Sequence, residues 1–241
     1  MTMSGFSSTY EGAKTDIDSP MKPLIRIDSH DVSTRLGEMK LSRDGLLDVL
    51  GVIFAQHGFC NENDPAGTRG WTVYRWGVRG LREKFRSEGW CVDSTGNLET
   101  LVNHSLKIRI AILNTDDGTC DKDRLPRNTS VKGPNSERAA LANADMLPGA
   151  EHWPELKADG TPAVTPEYET WHLCIYVRDD ELRAELSLLN KFSAGFFLDA
   201  AERIFLVKPG EWKPLEGRSH DDGTGVTDSV DFSVERKKKY N

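Results

Sequence analysis

"WHLCIYVRDDELRAELSL", residues 171–188, carries the strongest period-two pattern in the chain. If Asp179 and Asp180 form a two-residue turn, Arg178 faces Glu181 and Val177 faces Leu182. Counting outward, Trp171, Leu173, Ile175 and Val177 share one apolar face with Leu182, Ala184, Leu186 and Leu188. The same register sets His172 beside Ser187, Cys174 beside Glu185 and Tyr176 beside Arg183 on the opposite face. The spacing therefore predicts a β-hairpin with one face on a core and a half-exposed polar face behind it.

Upstream, "SLKIRIAIL" (105–113) alternates Leu106, Ile108, Ile110 and Ile112 with Lys107 and Arg109, which reads as a half-buried strand. Residues 42–57, "SRDGLLDVLGVIFAQH", place Leu46, Leu47, Leu50, Ile53, Phe54 and His57 at helical spacing, with Ser42 or Asp44 available as N-cap. "GFCNENDPAGTRG" (58–70) reads as a loop, "PLIRI" (23–27) as a short strand and "LETLV" (98–102) as ambiguous. "SERAALANADML" (136–147) is a short helix capped by Asn135 or Ser136. "GFFLDAAERIFLV" (195–207) is apolar but fits a helix or a strand pair, so the fold of 192–207 stays open.

These segments assemble into a single mixed α+β domain with a predominantly antiparallel sheet, an N-terminal helical part and flexible termini. Residues 23–208 form the domain, with a helical part at about 42–90 and a sheet part at about 105–208. Residues 1–22 form a flexible lead-in, 148–169 a proline-bearing connection and 209–241 a polar tail in which "SVDFSV" (229–234) fits one edge strand.

The chain has 241 residues, enough for a full core, and apolar runs such as Ile110–Leu113 are far short of a membrane span. The opening residues lack a basic start followed by an apolar block, so no leader is expected. Four cysteines without close pairing suit free thiols, hence a cytoplasmic location, and the short apolar runs and net acidity leave no membrane partner expected. A net charge of -7 argues against indiscriminate coating of nucleic acid, while leaving room for a local basic face.

Such a face is offered by "WTVYRWGVRGLREKFRSEGW" (71–90). Tyr74, Val78, Leu81 and Phe85 make a helical apolar stripe, and Gly89 suits its end. Arg75, Arg79, Arg82 and Arg86 then fall within roughly 60° of arc and span ~16 Å, with Arg69 and Trp71 at the leading end. A row of guanidinium groups can take successive phosphate oxygens. The bland alternative is a solvated helix flank whose arginine methylenes cover apolar surface. Gly77 and Gly80 imply either close packing by another element or a break in the helix. Residues 81–102 also resemble the last helix and wing of a winged helix-turn-helix, although the 58–70 loop is longer than that motif uses.

A second basic cluster, "RLPRNTSVKGPNSERA" (124–139), holds Arg124, Arg127, Lys132 and Arg138 ahead of a helix start. Asp116 and Asp117, following a strand, could share a metal with Glu185 and place Lys107 or Lys132 near a scissile phosphate. The EF-hand spacing fails, since Leu125 stands where a glutamate is needed. His172, Glu185 and Ser187 or Cys174 are candidates for proton transfer or nucleophilic work, without a readable oxyanion loop. His57 and Cys60 form only half of a zinc site.

The leading expectation is a nucleic-acid-associated accessory or regulatory protein that needs no cofactor. It would contact phosphates through Arg75, Arg79, Arg82 and Arg86, and secondarily through Arg127 and Lys132. Two alternatives stand beside it: a Mg2+-dependent phosphodiesterase or nuclease on Asp116, Asp117 and Glu185, and an acidic protein-binding inhibitor or interaction module.

Overall fold

A computed structural model describes residues 22–146 and 168–213. The expected lead-in, proline-bearing connection and terminal strand and tail lie outside the described residues, apart from their margins.

Strands β5 (Glu169–Arg178) and β6 (Glu181–Ser193) pair in the register expected from the alternation, from Trp171 opposite Leu188 to Arg178 opposite Glu181. Asp179 takes a left-handed φ of 50° in the turn, a conformation that a short polar side chain tolerates. The open stretch 192–207 is a second hairpin. β6 turns at Ala194 and Gly195 into β7 (Phe196–Val207), with register shifts along the pair. Gly195 sits at φ 85°, and a Cβ there would stand 2.3 Å from Cγ1 of Val131, so only glycine fits this crossing.

The remaining strands are β1 (Leu24–Arg26), β2 (Cys91–Asp93), β3 (Thr100–Asn103) and β4 (Ile108–Asn114). Together the described strands form a seven-stranded sheet in the order β1-β7-β6-β5-β4-β3-β2. Four neighbour pairs are antiparallel, while β1–β7 and β4–β5 are parallel. The sheet is thus mixed within an α+β fold.

Helices α1 (Ser29–Glu38), α2 (Arg43–Gly58) and α3 (Thr68–Phe85) cover one face. Their Leu36, Leu50, Ile53, Leu81 and Phe85 pack with Ile110, Leu173, Leu186 and Ile204 of the sheet. The other face is covered by α4 (Pro134–Met146) and the segment 115–133, around Leu113, Cys174, Leu189 and Phe197. The buried amide of Asn143 ties α4 down by donating to the carbonyls of Thr170 and Leu189 and accepting from the Thr170 amide.

Two covered faces correct the half-exposed reading of the sheet. In β4 even Ala111 and Leu113 are buried, and the polar side of the β5–β6 hairpin is interior. The helical part also begins earlier, because α1 was not read from the sequence. Asp28 caps it by accepting from the His30 and Asp31 amides, and only Val32 and Leu36 are buried from it. Helix α4 starts at Pro134, one turn position before the expected caps, where a missing amide hydrogen is harmless. The expected tail begins after a further core contact, with Trp212 packed 5.6 Å from the Phe54 ring. The β2–β3 hairpin is the margin of the main sheet, since β3 pairs with β4, so it is not a free wing.

Helix α3 runs unbroken through Gly77 and Gly80. A Cβ on Gly77 would stand 3.0 Å from Ile112, and one on Gly80 2.9 Å from Val49 of α2. The glycines therefore permit close approach of helix to sheet and helix to helix. Gly80→Leu separates this from helix propensity. Propensity alone favours leucine by ~1 kcal/mol, whereas overpacking destabilises by ~1–3 kcal/mol. We expect a net loss in urea unfolding; a gain would show that the α2–α3 contact is loose.

Candidate functional site

A groove of ≈ 820 Å³ lies between α3 and the β2–β3 hairpin. Arg75, Arg79, Arg82 and Arg86 line it, against Glu83 and Glu99. The helical spacing explains their alignment: Val73, Gly77, Leu81 and Phe85 face the core, Tyr74 and Val78 of the expected stripe turn partly into the groove, and the arginines flank them.

Each arginine has a distinct setting. Arg75 stacks over the Trp76 ring at 5.4 Å and forms no ion pair among the described residues. Arg79 shares that ring at 4.9 Å and donates to Glu83 at 2.7 Å. Arg82 donates to Glu99 at 2.5 Å, and Ser94 donates to the same oxygen at 2.7 Å. These contacts, the Ser94 hydroxyl foremost, hold the Glu99 carboxyl below its usual range. Arg86 stands at the helix end and is exposed, with no ion pair among the described residues. Two of the four cations are thus partly neutralised.

The groove also has an apolar floor and an aromatic end. Val78 and the exposed Val92 line it, and Trp71, 61% exposed, lies 5.8 Å from the Tyr74 ring. Val92 and Glu99 come from a hairpin whose docking against α3 is not visible in local spacing.

The second basic cluster does not join this groove. Arg127 stacks over the Phe196 ring at 4.1 Å, toward the β7 side of the sheet, and Arg124 pairs with Asp117 at 2.7 Å. Lys132 donates to Ser130 at 3.1 Å and is partly buried, which lowers its pKa. Helix and loop contacts therefore lie apart.

The polar side of the β5–β6 hairpin has the expected register and a different use. Glu185 is 0% exposed and Arg203 1%, and they form a bidentate pair at 2.7 and 2.6 Å. Glu185 also accepts from the Ser187 hydroxyl at 2.6 Å and the Cys120 amide at 2.5 Å. Arg203 further donates to the carbonyls of Asp121 and Arg124, at 2.7 and 2.9 Å. This network fastens the 115–128 segment to the sheet. Arg203 was missed in the sequence, although an arginine inside "AAERIFLV" was a visible signal.

Glu185 is thus engaged by Arg203, whereas Asp116 and Asp117 have other partners. Asp116 accepts from the Gly118 and Arg127 amides at 3.0 Å, and Asp117 pairs with Arg124. No cluster of three metal-ligating side chains occurs among the described residues, and Cys60 contacts Thr72 rather than a second cysteine. Cys174 and Cys120 are buried, and burial raises both thiols away from the thiolate.

His172 is buried with Nδ1 unpartnered and its ring 4.7 Å from Phe197. Burial, aided by nearby Lys132, pulls its pKa down to about 3. The folded form then binds fewer protons than the unfolded chain between about 3 and the ordinary 6.5, so stability falls as pH drops through that window. His57, lowered chiefly by burial, acts in the same sense.

Two outcomes are expected. Urea unfolding from about pH 7 to about pH 5, above most carboxylate titration, shows falling stability, and His172→Leu flattens the slope. An unchanged slope would contradict a neutral, buried imidazole. Arg203→Met destabilises by ~3–5 kcal/mol by stranding Glu185, and speeds amide exchange in residues 115–128. Exchange confined to β7 would show that the pair does not hold that segment. Compared with protein-family models, curated proteins and solved structures, the chain shows no match.

Proposed function

We propose that the protein is a nucleic-acid-associated accessory factor that holds a single strand in the groove between α3 and the β2–β3 hairpin. The observation that supports this reading is the joining of the exposed Trp71, with the half-buried Tyr74 beside it, to a row of arginines in one groove. Stacking platforms beside a cationic track suit unpaired bases and their phosphates, since every base has a π-face. The aromatic end favours this ligand over an acidic peptide, which would use the cations alone.

Arg75 and Arg86, free of ion pairs among the described residues, would take phosphates first. Arg79 and Arg82 would exchange their glutamate contacts for phosphate or orient the strand. All four cysteines are free thiols, which supports a reducing, cytoplasmic setting. No described helix is long and apolar enough to cross a membrane.

The test is fluorescence anisotropy with labelled single-stranded DNA and RNA 12-mers, a duplex and a poly-glutamate peptide. Single strands are expected to bind best, with a log affinity against log salt slope of up to about -3 for four phosphate contacts. Arg75→Glu with Arg86→Glu weakens binding at least about tenfold, and Trp71→Ala by ~1–3 kcal/mol. Retention of the peptide alone, or strand binding indifferent to these substitutions, would overturn the reading.

A further inference from the structure

A second, smaller pocket of ≈ 310 Å³ opens at the carboxyl ends of the parallel strands β4 and β5. Parallel strand ends are a recurrent place for ligand crevices, because the chain leaves them in diverging directions. Here β4 leads into the segment on one face of the sheet, while α2 and α3 cover the other.

Three observations there point to a ligand. His57 is 6% exposed, forms part of the pocket wall, and its ring makes no hydrogen bond among the described residues. Asn114 donates through Nδ2 to the Gly70 carbonyl at 2.7 Å, which fixes its amide orientation and leaves Oδ1 buried without a partner. Finally, α3 begins at this pocket, with Arg69 and Gly70 in its wall. No side chain caps this 18-residue helix, whose N-cap position is Gly67.

The charges of the wall favour an anion. Arg69 donates one hydrogen bond to the Cys60 carbonyl at 3.3 Å, leaving other donors of its guanidinium. Arg178 and Asp179 form a loose pair at 3.9 Å and are both exposed, so they mark the rim. The helix start adds its positive end to Arg69. The buried Asn114 oxygen, in contrast, requires a donor. Val73, Ile175 and Val177 supply an apolar wall.

We propose that this pocket binds a small organic molecule that joins an oxyanion to a hydrogen-bond donor, either a hydroxyl-bearing phosphate monoester or a hydroxycarboxylate. Arg69 and the first turn of α3 take the oxyanion, His57 donates to it, and Asn114 Oδ1 accepts from the ligand's hydroxyl. The apolar body of the ligand rests on Val73 and Val177. The site is separate from the α3 groove and does not depend on nucleic-acid binding.

The test titrates the full chain with 4-hydroxyphenyl phosphate in one arm and mandelate in the other, with benzyl alcohol as the uncharged control. Calorimetry and the histidine ring resonances, assigned to His57 through His57→Gln, give the readouts. We expect one-to-one saturation in at least one charged arm, movement of the His57 resonance, and no binding of benzyl alcohol. Saturation in a single arm assigns that class. Arg69→Met, at an exposed position, weakens binding about tenfold, equivalent to ~1.4 kcal/mol. Arg75→Glu with Arg86→Glu leaves it unchanged, which separates this site from the groove. Failure of both charged arms to saturate would overturn the proposal. So would equal affinity in Arg69→Met, or a still His57 resonance.

Discussion

The pairing of Glu185 with Arg203 is the constraint on which the second layer of the molecule depends. Both groups lie inside, where an ion left without partners is costly, and both are saturated by hydrogen bonds. The pair does more than neutralise itself. Arg203 reaches the carbonyls of Asp121 and Arg124, and Glu185 receives the Cys120 amide, so a segment without regular structure acquires a fixed path. That path brings Thr115 and Thr129 to the wall of the smaller pocket. A polar interior thus shapes the outer surface.

The first layer follows a different logic. Close packing at Gly77 and Gly80 seats α3 against Ile112 and Val49. With its rear surface held, the helix presents its arginines from a rigid support, and the β2–β3 hairpin completes the groove with Val92 and Glu99. Pre-ordering of side chains reduces the entropy lost when a ligand is held. The Arg82–Glu99–Ser94 contacts contribute to that order while reducing the available positive charge.

The β5–β6 hairpin was legible because two local signals agreed: strict alternation, and an Asp-Asp pair able to turn. The helical stripe of α3 was equally local. Helix α1 was not legible, because it buries only Val32 and Leu36 and relies on tertiary contacts such as Arg35 with Glu202. Periodicity also failed to show that the sheet is covered twice, since Cys174, Glu185 and Ser187 look like a solvated face until the 115–128 segment is laid over them. Glu185 resembled a free carboxylate because its partner lies 18 residues away, in a stretch whose pattern was ambiguous. The smaller pocket joins His57, Arg69, Asn114 and Asp179, which no local spacing connects.

Among the described residues, the outermost strands of the sheet, β1 and β2, are three residues each, whereas β5, β6 and β7 run to ten or more. Brevity at the margins leaves few backbone donors and acceptors for a foreign strand to zip onto. The taper lets an apolar, strongly hydrogen-bonded middle coexist with resistance to fibrillar stacking.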